Sequence, residues 1–380
     1  MNILEEIQNC PVEWKELGEV CKIETGKLNA NESVEDGKYP FFTTAKEISR
    51  INSFRWNAEA LLIAGNANVG DVKYYSGKFE AYQRTYVLTN FSHNVKARFL
   101  LHIIKQGLKS YLENNTNKAA MSYIVISTLK SFPIPIPPIE IQEKIVQILD
   151  KFTDYVTELT SELTSRKKQY SFYRDKLLSF EDEVYQVEWK TLNEFLKKGK
   201  GTKITASQMK LLHKDGAPIR IFAGGKTYAD VNYGDIPDKD IHTEEAIVVK
   251  SRGIIDFEYC TEPFSFKNEF WSYSSDDENI NLRYIYHYLV HNKEHFQNIA
   301  NNMQMPQISS NDTEKFKIPV PSLKIQSRIV QVLDNFDTVC HDLNIGLPKE
   351  IELRQKQYEY FREKLLTFVA EGEYSESRVE

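Results

Sequence analysis

The apolar positions Leu149, Phe152, Val156, Leu159, Leu163, Tyr170, Tyr173, Leu177 and Phe180 advance by alternating steps of three and four residues, with Arg166 in the one polar slot. Such a series is the a/d seam of a heptad helix. Extended over about residues 139–181, the helix would be roughly 65 Å long and would need a partner helix to cover its stripe. A second seam supplies one: Leu333, Phe336, Cys340, Leu343 and Leu347, then Ile351, Arg354, Tyr358, Phe361, Leu365 and Phe368. The step from Leu347 to Ile351 is a stutter, and Gly346 and Pro348 at that point predict a kink or break. Two such helices in one chain can pack as an antiparallel coiled coil, although the same seam would also serve pairing between chains. Arg166 and Arg354 hold equivalent seam positions, from which each can snorkel to solvent, meet a carboxylate across the seam or contact a partner protein.

Outside the helices, short apolar runs alternate with polar turns. Residues 38–42, 60–64, 70–75 and 84–88 read as strands, followed by a helix over about 95–112. The order recurs at 219–222, 245–249, 254–259 and 269–273, with a helix around 281–299. Each set is an α+β unit.

The recurrence extends to the letters. Phe132-Pro133-Ile134-Pro135-Ile136-Pro137 with Ile141-Gln142, Ile145-Val146 and Leu149-Asp150 returns as Phe316-Lys317-Ile318-Pro319-Val320-Pro321 with Ile325-Gln326, Ile329-Val330 and Leu333-Asp334. Val12-Glu13-Trp14-Lys15 returns as Val187-Glu188-Trp189-Lys190. An internal duplication of this kind places its copies about a two-fold axis, as a homodimer would, and duplex DNA has local two-fold symmetry as well. The expected organisation is α+β: two similar globular domains related by pseudo-two-fold symmetry and separated by an antiparallel two-helix coiled coil. The expected boundaries are a first domain at 1–138, a connecting helix at 139–183, a second domain at 184–321, a second helix at 322–372 kinked near 346–348, and a tail at 373–380. Framework segments are nearly copied, while equivalent loops such as Gly65-Asn66-Ala67-Asn68 and Ser251-Arg252-Gly253 differ, as expected of one scaffold reading two targets.

Composition narrows the function. The 380 residues carry a formal charge of −6, which argues against gripping nucleic acid by bulk positive field. The charge is uneven, however: the first globular segment is net basic and the second net acidic. Any DNA contact therefore needs local clusters of basic groups, or a partner that neutralises phosphates. No apolar run reaches the roughly 20 residues of a membrane span, and the N-terminus lacks a basic-then-apolar leader, so a cytoplasmic protein with no membrane role is expected. Cys10, Cys21, Cys260 and Cys340 have no CxxC spacing and read as reduced and incidental.

A search for chemistry is mostly negative. There is no glycine-rich S-adenosylmethionine turn and no Asn/Asp-Pro-Pro-aromatic tetrapeptide. Gly224-Gly225-Lys226-Thr227 resembles the end of a phosphate-binding loop, but Arg220 stands where the first glycine belongs, so it reads as a turn. Asp235, Asp238 and Asp240 read as a solvated turn, and His287, His291 and His295 as an exposed polar helix face with no completing metal ligand.

What remains is a candidate DNA-binding surface. In the first unit its loops carry Lys27, Thr43, Thr44, Lys46, Arg50, Asn66, Asn68, Lys73, Tyr82, Gln83 and Arg84; in the second they carry Lys203, Ser207, Gln208, Lys226, Lys250, Ser251 and Arg252. Arg, Asn and Gln can bind base edges bidentately, while Lys, Ser and Thr serve phosphates.

The opening Val-Glu-Trp-Lys pairs, the Gly37-Lys38-Tyr39-Pro40 and Gly77-Lys78-Phe79 segments, and the stretch from Pro135 to Asp150 with its second copy, in which Ser322 replaces a proline, together resemble the specificity (S) subunit of type I restriction-modification systems. The resemblance implies two target-recognition domains, each reading half of a bipartite site in double-stranded DNA, and helices that act as a ruler and as docking surface for two methyltransferase (M) subunits. It also implies that the chain itself is not catalytic and holds no cofactor. S-adenosylmethionine would sit on the methyltransferase subunits, and ATP on restriction (R) subunits that add translocation and cleavage. Two other readings remain: a DNA-modifying enzyme with an unrecognised site, and an interaction scaffold with no DNA role.

Overall fold

The computed structural model describes residues 3–115, 123–180, 187–300 and 306–368. They fall into two units, one formed by residues 1–160 together with 350–380 and the other by 161–349.

In the first unit the strands Lys22–Thr25, Thr85–Thr89, Trp56–Ala64, Val72–Ala81, Tyr39–Phe42 and Ser49–Ile51 form one six-stranded sheet in that order. Trp56–Ala64 begins with alternating exposure and is then buried on both faces from Ala60 to Ala64. The strand period of two explains how. Leu61 and Ile63 meet Phe99, Leu100, Ile104 and Leu108 of the helix Ala97–Asn115, while Ala60 and Leu62 meet Phe42, Trp56 and Phe79.

The second unit repeats this plan with one cut. Lys197–Lys200, Trp271–Ser274, Ala246–Lys250 and Asp256–Cys260 form a four-stranded sheet, and Tyr228–Val231, Ile219–Phe222 and Phe264–Phe266 a three-stranded one. Where Val72–Ala81 runs through in the first unit, the second breaks the strand before Phe264 at Pro263, which has no N–H to give a ladder. The first unit passes the corresponding point on Gly77 at φ +136°. The helix expected around 281–299 is two helices, Leu282–His291 and Lys293–Ala300.

Each unit also has a two-stranded antiparallel ribbon made of the duplicated motifs. Glu13–Glu16 pairs with Pro133–Ile136 and puts Trp14 opposite Pro135; Glu188–Thr191 pairs with Lys317–Val320 and puts Trp189 opposite Pro319.

The heptad helix is continuous from Ile139 to Ser179. Its part in the first unit packs on the helix Leu347–Leu366: Phe152 stacks on Phe361 at 5.2 Å, and Leu365 and Leu366 join Ile145 and Leu149 in the core. Its part in the second unit packs on the helix Leu323–His341. Tyr173 meets Phe336 at 5.8 Å while Tyr170 reaches on to His341 at 5.7 Å, so these two helices run antiparallel.

The second helical stretch is interrupted between His341 and Leu347. Asp342 Oδ1 accepts the Asn344 N–H at 2.7 Å, and a Cβ on Gly346 would lie 2.4 Å from the Thr338 carbonyl oxygen, so only glycine fits the turn. Leu343, expected in the seam, lies in this turn and is 71% exposed. Among the described residues, neither seam arginine meets a carboxylate across the seam: Arg166 pairs with Glu162 and Arg354 with Glu350, each on its own helix. Among the described residues no helix is long and apolar enough to cross a membrane.

Candidate nucleic-acid interface

At one edge of the first unit's sheet, several loops are stitched together. Tyr82 N–H donates to the Phe42 carbonyl at 2.9 Å, Gln83 N–H to Leu28 at 3.0 Å, and Ile124 N–H to Gly65 at 2.8 Å. Asn68 Nδ2 donates to the Thr44 carbonyl and Lys73 Nζ to the Ala45 carbonyl, both at 2.7 Å. The chain enters through Gly26, where a Cβ would sit 1.9 Å from the Ala81 carbonyl oxygen. These contacts gather Lys27, Thr43, Thr44, Lys46, Asn66, Asn68, Lys73, Tyr82, Gln83 and Arg84 into one cluster. Their roles differ. Thr44 is buried, Asn68 and Lys73 spend donors on carbonyls, and Gln83 Nε2 bonds Asn29 Oδ1 at 3.0 Å. Lys27, Lys46 and Arg84 are exposed, with no side-chain hydrogen bond or ion pair to a described residue. Arg50 does not belong to the cluster: its Nε and Nη2 bind the carbonyls of Gly37 and Lys38 at 2.6 and 3.0 Å and close the far end of a hairpin.

The same stitches recur in the second unit. Lys267 N–H donates to Phe222 at 3.1 Å, Asn268 N–H to Thr202 at 3.0 Å, and Ile308 N–H to Ser251 at 3.0 Å. This register sets Tyr82 against Lys267, Gln83 against Asn268 and Arg84 against Glu269. It also sets Asn66, bridged to Tyr123, against Arg252, bridged to Gln307. Lys203, Lys226 and Arg252 are exposed here. Ser207 is exposed on the short helix Ala206–Leu212, and Gln208 closes that helix's capping box by accepting the Thr205 N–H at 2.9 Å.

Two residues expected on the surface are part of the framework. Lys250 is 3% exposed, its ammonium bound to Glu258 at 2.5 Å and to the Gly225 carbonyl at 2.9 Å. Ser251 is 2% exposed and its Oγ donates to the Glu269 carbonyl at 2.8 Å. Sequence reading also missed Lys267 and Asn268, which only the internal register of the two units brings to the edge.

Behind each edge lies a pair of polar locks, one buried and one part-buried. Gln142 is fully buried; its Oε1 accepts the Lys96 N–H at 2.9 Å and its Nε2 donates to the Asn94 and Pro137 carbonyls, both at 2.8 Å. Gln326 does the same with Asn281 N–H, Asn279 and Pro321 at 2.8, 3.0 and 2.8 Å. Eight residues on, Asp150 receives Arg98 Nε at 2.8 Å and His102 Nε2 at 3.0 Å, and Asp334 receives Arg283 Nε at 3.0 Å and His287 Nε2 at 2.8 Å. Burial holds the pKa of both histidines below the ordinary value, against the pull of their aspartates. Burial alone would raise the Asp150 carboxyl, but the hydrogen bonds from Arg98 and His102 outweigh it and keep its pKa below the usual range. His287, expected on an exposed face, is therefore a buried partner of Asp334, and His291 is half-buried; His295 is exposed. His287, Asp334 and Asp337 are close enough together to hold a cation, but Arg283 already occupies Asp334.

A family model described as the type I restriction modification DNA specificity domain matches residues 11–166 and again 186–353. A type I restriction enzyme specificity subunit of Escherichia coli is 38% identical over 259 residues, covering 63% of this chain and 63% of that subunit. Putative type I specificity subunits of Haemophilus influenzae and Mycoplasma pneumoniae are 29% and 28% identical; they cover 95% and 92% of this chain, and 97% and 96% of their own lengths. Among solved structures, the S subunit of a type I restriction-modification system from M. genitalium shares the fold with a TM-score of 0.67 at 18% identity, over 95% of this chain and 98% of that one. With both halves matched separately by one model, on a framework whose stitches and locks also occur twice, the chain belongs to the type I restriction-modification specificity subunit family.

Proposed function

We propose that the chain is the non-catalytic recognition subunit of a type I complex. Each unit reads one half of a bipartite site in duplex DNA with its loop edge, and two methyltransferase subunits dock on the helices and ribbons. The observation that carries this reading is the recurrence of three backbone stitches in both units with different side chains mounted on them. A framework that holds loops rigidly while their exposed residues vary suits base reading, where phosphate contacts position and base contacts specify.

Duplicated exposed aromatics support docking of one partner twice. Trp14 and Trp189 are 40% and 51% exposed on equivalent ribbons, and Phe172 and Tyr360 are 62% and 54% exposed at equivalent helix positions. A chain with a formal charge of −6 also benefits from partners that share phosphate neutralisation. S-adenosylmethionine would then be held by the methyltransferase subunits and ATP by restriction subunits.

The test is genome-wide adenine methylation mapping of the assembled complex after residues 12–131 are exchanged for the matching segment of another such subunit. One half-site should change and the other persist. Change in both halves, in neither, or methyl transfer by the isolated chain would each defeat the proposal.

A further inference from the structure

We infer that Arg84 in the first unit and Arg252 in the second are the guanine-reading side chains of their modules, mounted on different loops of one framework. The inference rests on the reading of the chain as a specificity subunit.

Other arginines of the sheets and their loops are already spent. Arg50 binds two carbonyls, Arg55 pairs with Glu24 at 3.5 Å, and Arg220 makes a two-pronged contact to Asp230 at 2.8 and 3.0 Å. Arg84 and Arg252 are exposed at the stitched edges and have no carboxylate partner among the described residues. A guanidinium with its fork open is the group that matches guanine O6 and N7 together, whereas the nearby lysines offer point charges suited to phosphate.

The framework register shows that the two modules do not share one reader. The place of Arg84 is taken in the second unit by Glu269, which is paired with Lys267 at 2.6 Å, and the place of Arg252 is taken in the first by Asn66. The guanidinium has therefore moved from the turn before Thr85–Thr89 to the turn after Ala246–Lys250. Arg252 is also pre-positioned: its backbone is bridged to Gln307, and its Nε donates to Gln307 Oε1 at 3.2 Å, which leaves Nη1 and Nη2 for a ligand. Because the readers stand on different loops, the guanines they contact fall at different places in the two half-sites, and the half-sites are not inverted copies of each other.

The experiment uses the complex reconstituted with its methyltransferase subunits and maps adenine methylation on a randomised-site DNA library. Arg252→Ala should lower discrimination at one guanine of one half-site by about ten- to hundred-fold. Arg252→Lys, which keeps the charge, should lose most of that discrimination too. Arg84→Ala should act only on the other half-site, and Lys226→Ala should weaken methylation at all sites alike. Unchanged base preferences in both Arg252 variants, or a uniform decline in both, would make Arg252 a phosphate contact and overturn the inference. If the alanine complex does not assemble, the lysine variant decides. Exchange of residues 12–131 is run in parallel: an exchange that alters neither half-site removes the recognition-subunit reading itself, whereas an altered half-site with inert arginine variants removes only this inference.

Discussion

At the loop edge of the first unit, Arg84 has no side-chain partner among the described residues, where the second unit has Glu269 tied to Lys267. Behind the same edges, Gln142 and Gln326 make the same three hydrogen bonds, to an asparagine carbonyl, a proline carbonyl and a backbone N–H: Asn94, Pro137 and Lys96 in one case and Asn279, Pro321 and Asn281 in the other. The difference has an energetic origin. A buried donor or acceptor left unsatisfied costs about 1–3 kcal/mol, while most exposed substitutions stay within about 0.5 kcal/mol. Drift is therefore free at the edge and blocked at the lock.

The largest stability effect should come from the glutamines. Gln142→Ala and Gln326→Ala each leave three backbone groups without their partner, one bond buried and two part-buried, and should each cost about 3 kcal/mol in urea unfolding. If one is costly and the other near neutral, the two units are not held alike. The aspartates come next: Asp150→Asn and Asp334→Asn weaken a charged bond to arginine in each unit and should cost about 2 kcal/mol, with equal losses supporting the equivalence.

Lys250→Met offers a finer discrimination. It replaces a buried ammonium with an apolar chain of similar length and should change stability by about 1 kcal/mol while leaving the recognised sequence intact. Lys226→Ala, at the exposed edge, should leave stability within about 0.5 kcal/mol but reduce the salt slope of DNA binding by about 1.

The smallest effect is a pH dependence. Both lock histidines have depressed pKa values, so they stay neutral in the fold while the unfolded chain titrates near the ordinary value of about 6.5. As pH falls below that value, the unfolded state binds protons that the folded state refuses, and stability present at neutral pH declines. The drop in melting temperature between pH 7 and pH 5 should shrink in His102→Gln and in His287→Gln by similar amounts. Asp150, also depressed, adds its loss only at more acid pH.

What the sequence revealed and what it hid follow the range of the interactions. The heptad seam, the proline-rich ribbon strands and the strand runs are written in neighbouring residues, so their positions could be read directly. The break near Gly346 was marked locally, but the exposure of Leu343 was not, because a heptad register cannot show that the chain leaves the helix at His341. Gln142 and Asp150 were visible as repeated letters without a role, since their partners, among them Asn94, Arg98 and His102, lie about fifty residues earlier. Lys250 was taken for a loop cation although it ends the apolar run Ala246–Val249. The antiparallel pairing of Val248 with Glu258 brings its counter-ion near, and that register requires the sheet. At the edge itself, composition pointed to the right loops, but which side chains are free depends on hydrogen bonds such as those of Asn68 and Lys73 that no spacing rule encodes.

The division of the chain also sets a timetable for its synthesis. All the described parts of the second unit lie within residues 161–349, whereas the first is closed by Leu365 and Leu366 on the helix Leu347–Leu366. A ribosome delivers most of that helix only after the whole second unit. Until it emerges, Ile145, Leu149 and Phe152 of the nascent chain lack their cover, and the unit whose translation begins first is completed after the other.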